Sequence, residues 1–374
     1  MMNYNTVYVG MDVHKKSFTL CCMTLDMENA KHVTKVDADY KNILIYLDTM
    51  RDKFYGDDTH FICGYEAGCL GYTLYHQLTA ANVECVILAP STMTVEQKKK
   101  RIKTDKRDAA NIARCLAYRQ YSPVHIPTDK ELQIKEFIRM RDDHKHQLKG
   151  IKQQILAFCL RHGLHCDESK SNWTIAHIKW LRSVEIDLLY REILNEYLAT
   201  YDQLTDKIER FDNRIQELSE ADDYKEKVSR LRCLKGIETH TALSVIVEVG
   251  DFNRFPTAEK FASYLGLTPG EDSSGDDRNR LGITKAGNQH VRRLLTEAAQ
   301  CYSRGNFAQK SKALKARQKG NSPEIIQYAD KASERLRRKY VRMVMQGKNG
   351  NIAKTAIARE LACFIWGMMT DKIA

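Results

Sequence analysis

The N-terminal third of the chain is divided by its apolar and polar positions into short strands and helices. Runs rich in β-branched and aromatic residues predict five strands, which are Val7–Val13, Ser17–Thr24, His32–Val36, Phe61–Tyr65 and Val83–Leu88. Helical spacing predicts helices over Leu70–Leu78 and over Tyr40–Phe54, with apolar residues at Ile43, Ile45, Leu47 and Met50. Three strands, a helix, a strand, a helix and a strand follow the order of an RNase H-type α/β domain.

The middle of the chain is predicted to be helical. Pro123 and Pro127 interrupt the chain after Tyr121, which predicts a first domain over residues 1–122. Glu131–His162 has long helical periodicity. A later stretch steps alternately by three and four residues, as in a heptad seam, through Leu194, Tyr197, Tyr201, Leu204, Ile208, Phe211, Ile215 and Leu218. The two stretches fit either an intramolecular helical hairpin or an intermolecular coiled coil, and we favour a role in assembly for residues 123–230.

Residues 231–374 are predicted to form a third, mostly helical domain. Lys235-Gly236-Ile237 before the apolar helix Ala242–Val249 resembles a helix-hairpin-helix, whose glycine turn lets backbone N–H groups meet a phosphate. An amphipathic helix is predicted over Ile352–Met368. The residues expected in the core are Phe252, Phe255, Phe261, Leu265, Ile357, Leu361, Phe364 and Ile365. The predicted fold class is therefore α/β followed by α.

Composition narrows the class of partner and the compartment. The chain has 374 residues, is 43% hydrophobic and carries a formal net charge of +11, which suggests a polyanionic partner, although many basic proteins have none. Residues 1–10 do not resemble a signal peptide, and the apolar segment Leu361–Met369 is too short to span a bilayer. Eleven scattered cysteines without a C-x-x-C pair predict reduced thiols. We therefore expect a cytoplasmic protein with no membrane partner.

Four acidic residues are candidate metal ligands. Asp12 lies in the first predicted strand, Glu66 directly follows a later one, and Asp105 and Asp108 are spaced to share one face of a helix. Converging carboxylates repel one another unless a cation lies between them, and Mg²⁺ prefers such oxygen ligands. Two such ions would form a clamp for phosphodiester chemistry. The alternative is that Asp105 and Asp108 are first-turn acids favoured by the helix dipole, with Asp12 in a strand-end turn.

A basic run borders the last two acids. Seven of the ten residues from 98 to 107 are Lys or Arg, namely Lys98, Lys99, Lys100, Arg101, Lys103, Lys106 and Arg107. A nucleic-acid backbone would be attracted to this run, whereas the alternative is a solvated surface. Two further basic helical stretches, Gln309–Gln318 and Lys331–Arg342, present the same choice.

A polar loop in the last third contains a candidate nucleophile. Pro269-Gly270 ends an apolar run, and Ser273 and Ser274 follow. A serine hydroxyl needs a base, a metal or nearby cations to become an effective nucleophile. The cations that follow are suited to holding a phosphate and are Arg278, Arg280, Lys285, Arg292 and Arg293. Taken alone, the stretch is more typical of a solvated Ser/Gly/Asp turn.

An ordered set of motifs resembles one protein family. The motifs are VGMDVHK, GYEAG, TDKRDAANIA, LKGIETHTALSVIVEVGDFNRF, ASYLGLTPGEDSSG and GITKAGNQHVRRLL, and the resemblance runs from about Tyr8 to Trp366. This set is similar to the DEDD insertion-sequence transposases, described as bridge-RNA-guided serine recombinases. The resemblance implies a RuvC-like (RNase H-type) domain, a coiled coil and a transposase domain with a catalytic serine.

The resemblance also implies residue roles and partners. Asp12, Glu66, Asp105 and Asp108 would be the DEDD ligands of Mg²⁺, and Ser273 would be the nucleophile, with Ser274 as the alternative. Donor and target DNA, a noncoding guide RNA and further copies of the chain would be the partners. Residues 275–280, GDDRNR, are more acidic than the basic run usual in the family.

Two other functions are compatible with the same residues. One is a metal-dependent nuclease of the Holliday-junction resolvase type, in which water attacks and no covalent intermediate forms. The other is a non-catalytic nucleic-acid scaffold that uses the basic stretches and the coiled coil. Without the resemblance, the residues predict no more than a Mg²⁺-dependent nucleic-acid enzyme.

Overall fold

The computed structural model describes residues 6–68, 70–94, 104–167, 169, 171–271, 280–304 and 310–373. The chain forms two compact units, Met1–Ile126 and Pro127–Ala374. The first unit ends four residues after the predicted boundary at 122, and the predicted division between residues 230 and 231 remains a prediction. Among the described helices, none combines the length and the apolar character that a membrane crossing requires.

The first unit is built on a five-stranded mixed sheet. Its strands are β1 (Thr6–Val13), β2 (Ser17–Met23), β3 (Lys31–Asp37), β4 (His60–Glu66) and β5 (Glu84–Leu88). They lie in the order β3-β2-β1-β4-β5, with β1, β4 and β5 parallel and β2 antiparallel to both neighbours. All five predicted strands are confirmed, with bounds shifted by no more than one residue.

Three α-helices complete the described part of the first unit. They are α1 (Tyr40–Met50), α2 (Thr73–Ala80) and α3 (Asp105–Ala117). The helix predicted to reach Phe54 ends at Met50 because the chain widens into a π-helical turn and stops at Gly56, whose φ is +88°. The prediction also placed Ile45 in the apolar spacing of α1, but its side chain is 63% exposed.

Helix α3 lies unusually close to the sheet. A Cβ atom added at Gly10 would overlap the carbonyl oxygen of Ala109 and the backbone nitrogen of Ala113. At Gly64, an added Cβ would lie 2.8 Å from the side chain of Leu116. Glycine in β1 and β4 therefore allows the backbone of α3 to pack directly on the middle of the sheet.

The described part of the second unit is mostly helical. Its helices are α4 (Asp129–Arg161), α5 (Ile175–Ser183), α6 (Leu188–Ser219), α7 (Asp222–Arg232), α8 (Thr239–Val249), α9 (Ala258–Tyr264), α10 (Gln289–Ala298), α11 (Lys312–Gln318), α12 (Pro323–Met345) and α13 (Gly350–Met369). A short hairpin of β6 (Pro269–Glu271) and β7 (Arg280–Ile283) lies between α9 and α10.

The two long helices α4 and α6 pack against each other within the chain. In the predicted seam, Leu194, Tyr201, Leu204 and Ile215 are buried, and the other four residues are half-buried. An intramolecular pair is therefore observed. An additional coiled coil between chains remains a prediction.

A larger core surrounds α8. Every residue from Ala242 to Val249 is buried, and so are the predicted core residues Phe252, Phe255, Phe261, Leu265, Ile357, Leu361 and Ile365, while Phe364 is half-buried. Gly236 has a φ of +88°, and an added Cβ would lie 2.7 Å from the carbonyl oxygen of Ala298. Glycine is therefore required there by packing, and the helix-hairpin-helix remains a prediction.

A buried carboxylate joins α4, α8 and α10. The side chain of Glu248 is 1% exposed and accepts hydrogen bonds from Arg139 at 2.8 and 3.1 Å and from Asn288 at 2.9 Å, with Lys135 at 3.4 Å. Burial raises the pKa of Glu248, but these partners outweigh it, and the net pKa is lowered. Asn288 also caps α10, because its side-chain oxygen accepts from the N–H of Val291 at 3.0 Å.

Part of the basic sequence serves the fold itself. Arg335 and Lys339, in the stretch predicted to face nucleic acid or solvent, both form ion pairs with Glu360 of α13. Arg337 of the same stretch donates to the carbonyl oxygen of Tyr302 at 2.7 Å. At least three basic side chains of α12 are therefore engaged in contacts within the fold.

We predict that Gly10→Ala destabilises the first unit by at least ~2 kcal/mol, because the added methyl group collides with the backbone of α3. Urea denaturation followed by far-ultraviolet circular dichroism measures the effect. Gly68→Ala is the matched control, since an added Cβ there meets nothing closer than 3.8 Å. A loss below ~1 kcal/mol at Gly10 would show that α3 is not in direct contact with the sheet.

We predict that Glu248→Ala destabilises the second unit by about 2 to 3 kcal/mol, because the charged hydrogen bonds that the buried carboxylate accepts from Arg139 and Asn288 are lost, as is its ion pair with Lys135. Tryptophan fluorescence during urea denaturation reports on this unit, since Trp173, Trp180 and Trp366 all lie in it. The control is Glu297→Ala, which removes an exposed partner of Arg293 and should cost less than ~1 kcal/mol. Equal losses for the two variants would contradict the buried network.

Candidate metal centre

Asp12 and Glu66 lie at the carboxyl ends of neighbouring parallel strands. The register of β1 and β4 pairs Met11 with Tyr65, so the next residues, Asp12 and Glu66, occupy equivalent positions. Because side chains alternate along a strand, Asp12 is on the same face as Gly10, which is the face covered by α3. The sheet therefore places both predicted ligands at one edge and on one face.

Helix α3 supplies the other two acids. Asp105 and Asp108 are in its first turn, and the packing of Ala109 on Gly10 places that turn beside Asp12. Oxygen atoms of Asp12 and Asp105 and a ring nitrogen of His14 all lie within 4.8 Å of one another. Burial raises the pKa of Asp12, His14 opposes that rise, and the nearby carboxylates of Asp108 and Asp105 add to it. Three of the four predicted acids are thus brought together.

Two basic side chains, those of His14 and Lys35, also belong to this cluster. His14 Nε2 lies 3.1 Å from Oδ2 of Asp12 and 3.9 Å from Oδ1 of Asp105. Lys35 Nζ on β3 donates to Oδ2 of Asp105 at 2.9 Å, and this hydrogen bond, with its charge, lowers the pKa of Asp105. Neither residue was predicted to have a role. His14 could have been noticed two positions after Asp12, whereas Lys35 is 70 residues away from its partner.

The chemistry of the cluster suits a hard divalent cation. Carboxylate oxygens are ligands that Mg²⁺ prefers, and the ammonium group of Lys35 beside Asp105 shows that positive charge is favoured at this position. The Asp12 side chain is 14% exposed and that of Asp105 is 43% exposed. A metal held here would therefore be open on one side to water and phosphate.

The predicted serine and several predicted cations lie outside the described residues. They are Ser273, Ser274, Lys98, Lys99, Lys100, Arg101, Lys103 and Arg278. The structure describes the stem of the serine loop, which is the antiparallel pair β6 and β7. Beyond the stem, the N–H of Thr284 donates to the carbonyl oxygen of Thr268 at 2.9 Å.

The remaining predicted nucleic-acid contacts differ in their surroundings. Lys106, Arg107, Lys285 and Arg293 are exposed, and Arg293 forms ion pairs with Asp142 and Glu297. Arg292 braces the stem, because its Nη1 donates to the carbonyl oxygens of Leu265 at 2.8 Å and Ala286 at 3.2 Å. The backbone of Arg280 is in β7. Phosphate binding by this group remains a prediction, and for Arg292 a structural role is already visible.

Comparisons with known proteins show which family the chain resembles. Residues 9–162 match a family model for the DEDD transposases of IS110, described as "Transposase", and residues 228–315 match "Transposase IS116/IS110/IS902 family". The chain is 31% identical to a putative transposase, y4qE, of Sinorhizobium fredii, over 99% of this chain and 90% of that protein. It is 30% identical to the transposase of insertion sequence IS1533 of Leptospira borgpetersenii, over 89% and 95%.

A more distant relative has a different name. A pilin gene-inverting protein of Moraxella lacunata is 23% identical over 85% of this chain and 90% of its own length. The matched regions together include the acid cluster, helix α4 and the stem of the serine loop. The chain belongs to the IS110/IS116 family of DEDD transposases, enzymes that cut and rejoin DNA.

Proposed function

We propose that this transposase cuts DNA by attack of Ser273 on a phosphodiester, assisted by Mg²⁺ bound to Asp12, Glu66, Asp105 and Asp108 of an RNase H-like domain. The observation that carries the proposal is the convergence of Asp12 and Asp105, 93 residues apart in sequence, to within metal-binding distance. Lys35 compensates Asp105 alone, and a divalent cation between the two carboxylates would compensate both. The sheet order and the position of α3 support the same domain type.

The reaction conserves the energy of the broken bond. The Ser273 hydroxyl loses its proton and attacks phosphorus, the DNA oxygen leaves and takes a proton, and a phosphoserine link replaces the phosphodiester. The hydroxyl of another DNA end then attacks the same phosphorus and releases the serine. When bound, Mg²⁺ would supply Lewis-acid stabilisation of the charge that develops on phosphate. Rejoining therefore needs no nucleotide cofactor.

Several residues of this chain have defined tasks in that scheme. Lys35 holds Asp105, and His14 holds Asp12, so the carboxylates are oriented before a metal arrives. In this scheme, Ser273 and the Mg²⁺ that the four acids would hold act on the same phosphate. The net charge of +11 suits a chain that binds donor DNA, target DNA and a noncoding guide RNA in the cytoplasm as an oligomer.

We predict that Mg²⁺ stabilises the wild-type chain by about 2.7 kcal/mol when present at a hundredfold excess over its Kd. Asp12→Asn should abolish this gain because a ligand is lost. In the absence of metal, the same variant should be at least as stable as the wild type, because repulsion from Asp105 and Asp108 is removed. Thermal unfolding of each protein with and without MgCl₂ measures both effects.

Asp58→Asn is the matched control for the metal experiment, since Asp58 is an exposed acid of the same unit outside the cluster. It should leave the Mg²⁺ effect unchanged. An Mg²⁺ effect of the same size in Asp12→Asn and the wild type would contradict the proposed metal centre.

We predict that Ser273→Ala lowers the yield of covalent protein–DNA adduct by about a thousandfold or more, because the attacking oxygen is lost. Ser274→Ala should still form the adduct. Denaturing gels of the chain with labelled DNA that carries the element ends, and with RNA transcribed from the flanking noncoding DNA, detect the product.

Other outcomes of this experiment identify the competing functions. Cut ends without adduct from the wild type would indicate water attack, as in a resolvase-type nuclease. Binding that is indifferent to Mg²⁺, with no cutting, would indicate a scaffold. Strand exchange by the variant that lacks both serines would overturn the serine mechanism.

A further inference from the structure

The second unit contains a cleft that is lined mostly by residues without a predicted role, with Arg293 as the one predicted nucleic-acid contact among the lining residues. Its volume is about 1150 Å³, and it is lined by α4, by Glu248 of α8 and by the start of α10. Six Lys or Arg side chains and four Asp or Glu side chains line it, so the cleft carries a net positive charge.

The two least exposed acids of the cleft are already neutralised by partners. Glu248 is held by Arg139 and Lys135, as described above. Asp142 lies 3.0 Å from Nε2 of His240 and also pairs with Arg293. Burial raises the pKa of Asp142, but hydrogen bonds and charges from His240 and Arg293 outweigh it and hold the pKa well below its usual range. Neither acid presents uncompensated negative charge to a ligand.

Three lysines line the cleft along one face of α4. Lys145, Lys149 and Lys152 are spaced by four and three residues, which places them on the same face of the helix. In the described part of the chain, none of them has a carboxylate oxygen within 4.0 Å. Lys152 Nζ lies over the rings of Trp173 and Tyr201, at 5.1 and 5.5 Å from their centroids.

The lysine spacing on α4 is electrostatically unfavourable for a helix face that contacts only water. Lys145 and Lys149 form a like-charge pair at i and i+4, which destabilises a helix, whereas a solvated face gains from alternating signs. Seven residues of helix span about 10 Å, which is about three phosphate steps along one strand of duplex DNA. An anionic polymer would remove the repulsion and match the length of the stripe.

The start of α10 adds a second feature that favours an anion. The first N–H groups of a helix have no acceptor within the helix, and the side chain of Asn288 satisfies that of Val291. Gln289 and His290, the first two residues of this ten-residue helix, line the cleft. Nε2 of His290 is buried, lies 3.7 Å from Oδ2 of Asp142 and has no closer hydrogen-bond partner among the described residues. A phosphate oxygen is the kind of group that helix N-termini accept.

We propose that this cleft binds the phosphodiester backbone of a nucleic acid through Lys145, Lys149 and the first turn of α10. The inference rests on the proposed function only in assuming that nucleic acids are the ligands. Backbone binding is thereby assigned to α4 in addition to the basic run at residues 98–107 and the cations that follow the serine loop, of which Arg293 lines the cleft and is paired with Asp142. Since only backbone chemistry is invoked, duplex DNA and RNA are the two possible sources.

The test is the salt dependence of binding by the double variant Lys145→Gln/Lys149→Gln. A short duplex DNA of random sequence and a single-stranded RNA of equal length serve as fluorescent probes, without Mg²⁺ and in a Ser273→Ala background. Losing two phosphate contacts should reduce the slope of log Kd against log salt by about 1.8 for duplex DNA or about 1.4 for RNA. For duplex DNA, this change of slope means that raising the salt from about 50 to 200 mM weakens binding by the variant roughly tenfold less than binding by the parent protein.

The matched control is Lys207→Gln/Lys227→Gln, which removes two exposed lysines of the same unit outside the cleft and should leave the slope unchanged. A reduced slope for one probe supports the proposal and identifies the ligand, and a reduced slope for both supports a shared backbone site. Slopes equal to that of the control for both probes would overturn it. Because no cutting is measured, a failure of the serine mechanism would not affect this result.

Discussion

The direct packing of α3 on the glycines of β1 and β4 is the contact on which the candidate site depends. Gly10 and Gly64 bring the helix backbone onto the sheet, so the first turn of α3 reaches the carboxyl end of β1. Asp12 and Asp105 are consequently held close together before any metal is present. The repulsion between the two carboxylates is offset by the positive charge of Lys35 beside Asp105 and by the contact of the His14 ring with Asp12.

The sequence was most informative where local patterns decide the structure. All five strands of the first sheet were predicted to within one residue, because β-branched and aromatic composition is visible locally, and in β1, β2, β4 and β5 it coincides with burial. The acids at Asp12 and Asp105 were found because a carboxylate in an apolar strand and an acidic first helical turn are visible locally. The buried Phe residues and the closing helix were predicted for the same reason.

Long-range pairing could not be predicted from the same patterns. Lys35 meets Asp105 only because β3 and α3 are assembled around the sheet, and Glu248 meets Arg139 across 109 residues. Arg292 was counted among phosphate contacts, yet it bonds to the backbone of Leu265. A positive charge in a sequence does not reveal whether its partner is another part of the fold or a nucleic acid. Helix α10 thus has two roles in the second unit. Arg292 braces the stem of the serine loop, and the first residues of the helix line the cleft that also contains Lys145 and Lys149.

The central claim is that the packing of α3 creates a metal centre at Asp12 and Asp105. Anomalous X-ray scattering from crystals of the full chain grown with Mn²⁺, as a substitute for Mg²⁺, tests it most directly. The account predicts a Mn²⁺ peak bound by carboxylate oxygens of Asp12 and Asp105, with Glu66 at the same edge of the sheet. A Mn²⁺ peak elsewhere, with these carboxylates remaining paired only to His14 and Lys35, would contradict it.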